Sequence, residues 1–162
     1  MAQFNVGDKA VIPKHGVGIV TSMVTELIDG REYKMYVLKV LHDGSNYKVP
    51  VANADAKGLR EIIPPEAVDK VYEVLRDRST PADKQTWNRR YREYTQKIDT
   101  GDPLEVAGVL RDLALLKADK QLSFGERNMY DKANSLIVQE LAFAKDVDEG
   151  AIKKELEGIF AA

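Results

Sequence analysis

At Ile63-Pro64-Pro65 the chain changes its period, and no other feature constrains the fold as strongly. Proline has no N–H to give to a ladder, and the residue before it avoids the helical region. Upstream, short runs rich in Val, Ile, Tyr, Met and Thr are split by Asp-Gly pairs. Downstream, apolar residues recur at i, i+3, i+4 and i+7. A period of two and a period of 3.6 belong to different elements. The break therefore predicts an α+β chain with a β domain over 1–63 and a helical domain over 64–162, with Pro65 suited to the first position of a helix.

In the first half, Lys9 to Pro13, Val17 to Leu27, Tyr33 to Leu41 and Asn46 to Val51 read as strands. Asp29-Gly30 and Asp43-Gly44 supply the left-handed residues of hairpin turns. Gly16 and Gly18 bracket Val17 and predict a bulge or sharp bend there. Between Tyr33 and Leu38 the alternation is blurred, so both faces are partly apolar. So few short strands bury little unless they curl, and a small SH3-like or Tudor-like barrel is the economical solution. Asn46-Tyr47-Lys48-Val49-Pro50 ends in proline, as edge strands do, and an open edge suits addition of a partner's strand. A protected edge that binds nothing reads the same way.

Five apolar stripes follow. They are Val68, Val71, Tyr72, Leu75; Trp87, Tyr91, Tyr94, Ile98; Val106, Val109, Leu110, Leu113 with Leu116 or Lys117; Met129, Ala133, Leu136, Ile137, Leu141, Ala144; and Ile152, Leu156, Ile159, Phe160. Asp102-Pro103-Leu104-Glu105 reads as a cap with proline at the first helical position, and Ser123 with Glu126 as a capping box. Thr100-Gly101 marks a helix end, and Asp148 a start. The expectation is a bundle of about five helices.

Chemistry has few candidates. The chain has no Cys, which excludes disulfides and thiolate sites. His15 and His42 lie near turns with no partner at metal-ligand spacing. Ser22, Ser45, Ser79, Ser123 and Ser135 lack a nucleophile elbow, and no phosphate-binding loop follows a strand. Gly16-Val17-Gly18 is better explained by strand bending. The acids Asp146, Asp148 and Glu149 suit a helix start. No enzyme, cofactor, metal or small-molecule substrate is expected. No basic leader or membrane-length apolar run is visible at the sequence level, so a cytoplasmic protein is expected.

What remains is the single tryptophan, Trp87, inside Lys84-Gln85-Thr86-Trp87-Asn88-Arg89-Arg90-Tyr91-Arg92. From Lys84 to Lys97 the cations Lys84, Arg89, Arg90, Arg92 and Lys97 face one acid, Glu93. The net charge is −2, so this patch runs against the general balance. Indole is a flat wedge for an opened base step, and guanidinium pairs with phosphate through a rigid fork. Arg127 and Lys132 extend the same surface or are scattered surface charge. Trp87 is equally placed to be core, with the arginines a solvated face. Both readings stay open on pattern alone.

The run from Val6 to Gly18 resembles the opening of the CarD/CdnL family of bacterial RNA-polymerase-binding transcription factors. So do Tyr36-Val37-Leu38-Lys39-Val40, Lys48-Val49-Pro50 and Gly58-Leu59-Arg60. Trp87-Asn88-Arg89-Arg90-Tyr91-Arg92 resembles that family's tryptophan-plus-basic helix. The resemblance covers nearly the whole chain. It implies a Tudor-like domain that docks on the RNA polymerase β subunit through the strand carrying Lys48 and Pro50, near Lys39 and Glu26. Glu26 departs from the pattern, since some relatives carry a base there. The resemblance also implies that Trp87 wedges into the minor groove at the upstream edge of melted promoter DNA. Arg89, Arg90, Arg92 and Arg127 would approach the backbone and stabilise the open complex. Such a contact is weak and largely blind to sequence. The alternative is an interaction adaptor whose barrel binds another partner and whose helices touch no DNA.

Overall fold

The computed structural model describes residues 4–78 and 87–161, and of Trp87 and Asn88 the backbone alone. Among the described residues the elements run β1 (Lys9–Ile12), β2 (Gly16–Ile28), β3 (Arg31–Val40), β4 (Asn46–Pro50), a 3₁₀ turn (Val51–Asn53), then α1 (Pro65–Arg76), α2 (Trp87–Asp99), α3 (Pro103–Asp119), α4 (Phe124–Lys145) and α5 (Glu149–Ala161). The chain divides into two units, 1–62 and 63–162.

The strands form one antiparallel meander in the order β1-β2-β3-β4. Ile28 pairs with Arg31 across a two-residue turn, and Asp29 and Gly30 both have positive φ, at 52° and 79°. That is the hairpin geometry which matches strand twist, and the Asp-Gly pair accounts for it. The Asp43-Gly44 hairpin is longer. Val40 N–H donates to the Ser45 carbonyl (2.8 Å), and Asp43 Oδ1 accepts from the Ser45 N–H (2.9 Å) and hydroxyl (2.7 Å).

The bulge lies elsewhere than the glycines suggest. The β2–β3 register shifts between Val20 and Ser22, at Thr21, a site at which a bulge needs no glycine. Gly18 instead permits close packing: a Cβ there would meet Ile12 Cδ1 at 3.0 Å and the Lys39 carbonyl oxygen at 3.2 Å. After β4 and the 3₁₀ turn the chain returns to the far edge of the sheet. Val11 N–H donates to the Arg60 carbonyl (2.7 Å) and Arg60 N–H to the Val11 carbonyl (3.2 Å). The chain leaving one edge thus pairs with the other, the curl expected of a Tudor-like unit. Gly58 turns it there, with φ +79° and Pro13 Cγ only 2.8 Å from where a Cβ would sit.

The core of this unit is Phe4, Ala10, Ile12, Val20, Tyr36, Leu38, Val40, Val49, Ala54 and Leu59. Phe4 lies edge-on to Tyr36 (5.8 Å), and its N–H donates to the Tyr36 hydroxyl (3.1 Å). Met35 and Tyr36 are both buried although adjacent strand residues face opposite ways. The blurred alternation of this strand therefore reflects cover on both faces.

The second unit is built around α3, which lies against α1, α2, α4 and α5. Val106, Ala107, Val109, Leu110, Leu113 and Ala114 are all buried, so α3 is apolar over much of its circumference. In α1 the buried residues are Val68, Val71, Tyr72 and Leu75, the whole expected stripe. In α4 burial extends to Glu126, Val138, Glu140 and Ala142, and in α5 it holds Ile152 and Leu156. Pro65 opens α1. Asp102 Oδ1 accepts from the Leu104 N–H (2.9 Å), and the Ser123–Glu126 capping box forms in both directions. α2 ends just before Thr100 and Gly101. The Asp148 carbonyl accepts the Ala151 N–H (3.1 Å) at the start of α5.

Polar ties fasten the helices. Tyr72 donates to Glu155 Oε2 (2.5 Å), and the Lys145 ammonium donates to Tyr72 (3.1 Å) and both Glu155 oxygens (3.0 and 3.1 Å). The hydrogen bond to Tyr72 and the Glu155 carboxylate outweigh burial and raise the Lys145 pKa. Glu155 is held below the ordinary carboxylate range by Tyr72 first and Lys145 second. Nothing in the sequence pattern marks these three as partners. The buried Glu140 accepts the Ile63 N–H (3.0 Å), anchoring the first residue of this unit to α4.

Candidate functional site

Two surfaces carry the residues singled out from the sequence, one in each unit. In the first, Glu26 pairs with Tyr33 and Ile19 with Lys39 on the β2–β3 ladder. Val37 pairs with Lys48 and Met35 with Pro50 on the β3–β4 ladder. Directly paired residues share a face, and so do residues two apart on a strand. Glu26, Lys39, Lys48 and Pro50 therefore sit on one face of the sheet, and the fold brings all four together. Lys48 and Glu26 form an ion pair across β3, and both side chains remain partly exposed. Part of the Lys48 charge is thus already answered within the chain. Exposed charges of this kind contribute little to stability but set the sign of the field a partner meets.

The second surface is the first half of α2 with the first turn of α4. Trp87 is the first residue of α2; its side chain, and residues 79–86 including Lys84, lie outside the described residues. Tyr94 and Ile98 are buried as expected, but Tyr91 is 48% exposed, so the inward stripe is narrower than the spacing suggests. The reason is packing. α2 leans chiefly on α3, and the Tyr94 hydroxyl donates to Asp112 (3.4 Å) near the middle of that helix.

The arginines divide into two kinds. Arg89 is 70% exposed and pairs with Glu93 one turn on (3.8 Å). Arg92 and Arg127 are exposed. Arg90 is only 14% exposed, and its guanidinium lies 3.8 Å from Glu126 Oε2, itself buried. Arg90 therefore ties the start of α2 to the start of α4. Glu126 also accepts the Ser123 N–H (2.9 Å) and faces Lys120 at 3.7 Å. Burial raises its pKa, but bonding by Ser123 and the charges of Lys120 and Arg90 outweigh that and hold it below the ordinary glutamate range. Arg127 follows Glu126 directly, which places it on the turn that Arg90 touches. Lys132 is exposed about a turn and a half further along α4.

One feature of this surface was not legible from the stripes. Phe124 opens α4 and is 80% exposed, and with Tyr91 it borders a cleft of about 370 Å³. His15 and His42 are exposed near turns, with His15 beside the Tyr47 ring (5.3 Å). Among the described residues no three His, Cys, Asp or Glu side chains converge as metal ligands, and no helix is long and apolar enough to cross a membrane.

The family comparisons follow the same division. Residues 4–63 match the CarD-like/TRCF RID domain, and residues 70–157 match the CarD C-terminal domain. The chain belongs to the CarD/CdnL family of transcription factors. It is 29% identical over 154 residues to "Putative transcription factor YdeB" of Bacillus subtilis (strain 168), covering 93% of this chain and 97% of that one. In a CarD family protein the two surfaces just described belong to the two matched domains in turn.

Proposed function

We propose that the protein regulates transcription by holding RNA polymerase with one unit and melted promoter DNA with the other. The observation that carries this reading is the pairing of both family domains in one chain of 162 residues. The β unit docks on the polymerase β subunit through the face that holds Glu26, Lys39, Lys48 and Pro50. Its open β4 edge is suited to addition of a partner strand.

In the helical unit Trp87, at the start of α2, wedges into the minor groove at the upstream edge of the bubble. Arg89, Arg92 and Arg127 meet phosphate oxygens. Arg90 joins that field while fixing α2 against Glu126. The result is a longer-lived open complex in the bacterial cytoplasm, at the nucleoid. The net charge of −2 supports a division of labour. An acidic protein binds DNA weakly alone, and tethering through polymerase raises the local DNA concentration to about the millimolar range. Phosphate contacts position the protein, and the indole senses a distorted step instead of reading a base sequence.

The test is binding of the full chain to purified RNA polymerase, for wild type, Lys48→Glu and Arg92→Ala. The reading expects Lys48→Glu to lose binding and Arg92→Ala to keep it. Undiminished binding by a folded Lys48→Glu would move the docking site off this face.

A further inference from the structure

The proposed function gives no role to the cleft beside Phe124. Its walls come from α2 and α4, whose first turns are joined by Arg90 and Glu126. Tyr91 and Phe124 present aromatic rings to it, and Met129 and Ile98 add buried apolar surface. Asn128, which is exposed, supplies an amide that both donates and accepts hydrogen bonds, while the Thr95 hydroxyl is buried behind the wall. Lys132 lines it too, with Asp99 the one acid. Arg92, next to Tyr91 and on the side of α2 that holds Thr95, is exposed.

At about 370 Å³ the cleft lies in the range of small-ligand pockets, about 300–1,000 Å³. Phe124 is the most exposed large apolar residue described, at the first position of a helix whose core residues begin later. An aromatic so placed does little for the bundle.

We infer that this cleft takes one unpaired base of single-stranded DNA, with its phosphate outward on Arg92 and Lys132. The inference rests on the DNA-contact reading above and adds to it a second, separate hold. Charge complementarity selects the occupant. The interior has aromatic walls and mixed donors and acceptors, which suit a neutral base edge, while cations stand on the exposed turns where a backbone would pass. An apolar side chain from a protein would use the walls but leave the amide and the cations idle. Aromatic stacking accepts any base, so the hold is blind to sequence.

The test uses the full chain at low salt with a forked duplex carrying 2-aminopurine in its unpaired arm, and with the blunt duplex as comparison. The inference expects preference for the fork and quenching of the 2-aminopurine. Phe124→Ala should lose about tenfold in affinity for the fork and nothing for the blunt duplex. Phe124→Trp should retain the preference. Because the ring is exposed, both variants should melt as wild type does, and Tyr91→Ala gives an independent second variant. Equal binding of fork and duplex by wild type would overturn the cleft and leave the duplex contact standing. So would a fork preference that survives both alanine variants, or absence of quenching, as expected if the cleft takes a protein side chain. Failure of wild type to bind either DNA even at low salt would overturn this inference alone, since the polymerase-tethered contact is read from open-complex lifetime.

Discussion

Arg90 and Arg92 lie two residues apart in one basic run and have different physical roles. Arg90 is largely buried against Glu126. Removing it takes one cation from a buried carboxylate that keeps Ser123 and Lys120, a loss on the order of 1–2 kcal/mol. Arg90→Ala should therefore lower the urea midpoint clearly, whereas Arg92→Ala should shift stability by less than about 0.5 kcal/mol. In DNA binding the order reverses: Arg92→Ala should lower the salt slope by about one unit for its lost phosphate contact. Equal stability in both variants would show that the Arg90–Glu126 tie carries no weight. Glu126 adds a pH signature. Its folded pKa lies below its unfolded one, so its contribution is fully present above about pH 4.3, the ordinary glutamate value. It is lost as pH falls through the depressed folded value, because the unfolded chain takes the proton first. Glu126→Gln should flatten the acid limb of a stability–pH curve relative to wild type, and an unchanged limb would contradict this.

At the scale of elements, local rules made most of the fold legible. Asp29-Gly30 set a two-residue turn, Pro65 opened α1, and Ser123 with Glu126 capped α4, because each depends on residues close in sequence. The features that escaped depend on residues far apart. The pairing of Arg60 with Val11 and the Tyr72–Lys145–Glu155 cluster join separate elements and leave no periodic trace. Tyr91 fits the inward stripe by spacing, yet it is about half exposed, so a helical period alone overstates burial. Of the candidate site, strand alternation could have put Glu26, Lys39, Lys48 and Pro50 on one face only once the register was known. Two substitutions probe the elements. Leu110→Ala, in the helix that touches four others, should cost about 2–5 kcal/mol in chemical denaturation. Gly58→Ala should cost about 1–2 kcal/mol for left-handed backbone, and somewhat more because Pro13 must give way. A neutral Gly58→Ala would mean that this turn is not held as described.

In the proposed function the molecule joins a polymerase-docking unit to a DNA-contacting one, and its acidic balance would make each dependent on the other. Weak DNA contact would suffice when the β unit keeps the protein at the bubble, and the same contact would have little effect on free DNA. The account therefore predicts a kinetic effect at promoters in place of tight binding in solution. It is tested most directly by the lifetime of open complexes formed by cognate RNA polymerase, compared with no factor, with wild type and with Trp87→Ala. Wild type should lengthen the lifetime, and Trp87→Ala should bind polymerase equally well yet lose the lengthening. A lifetime that wild type leaves unchanged despite confirmed polymerase binding, or that folded Trp87→Ala extends as fully as wild type, would contradict the wedge and favour an adaptor whose helices meet another partner.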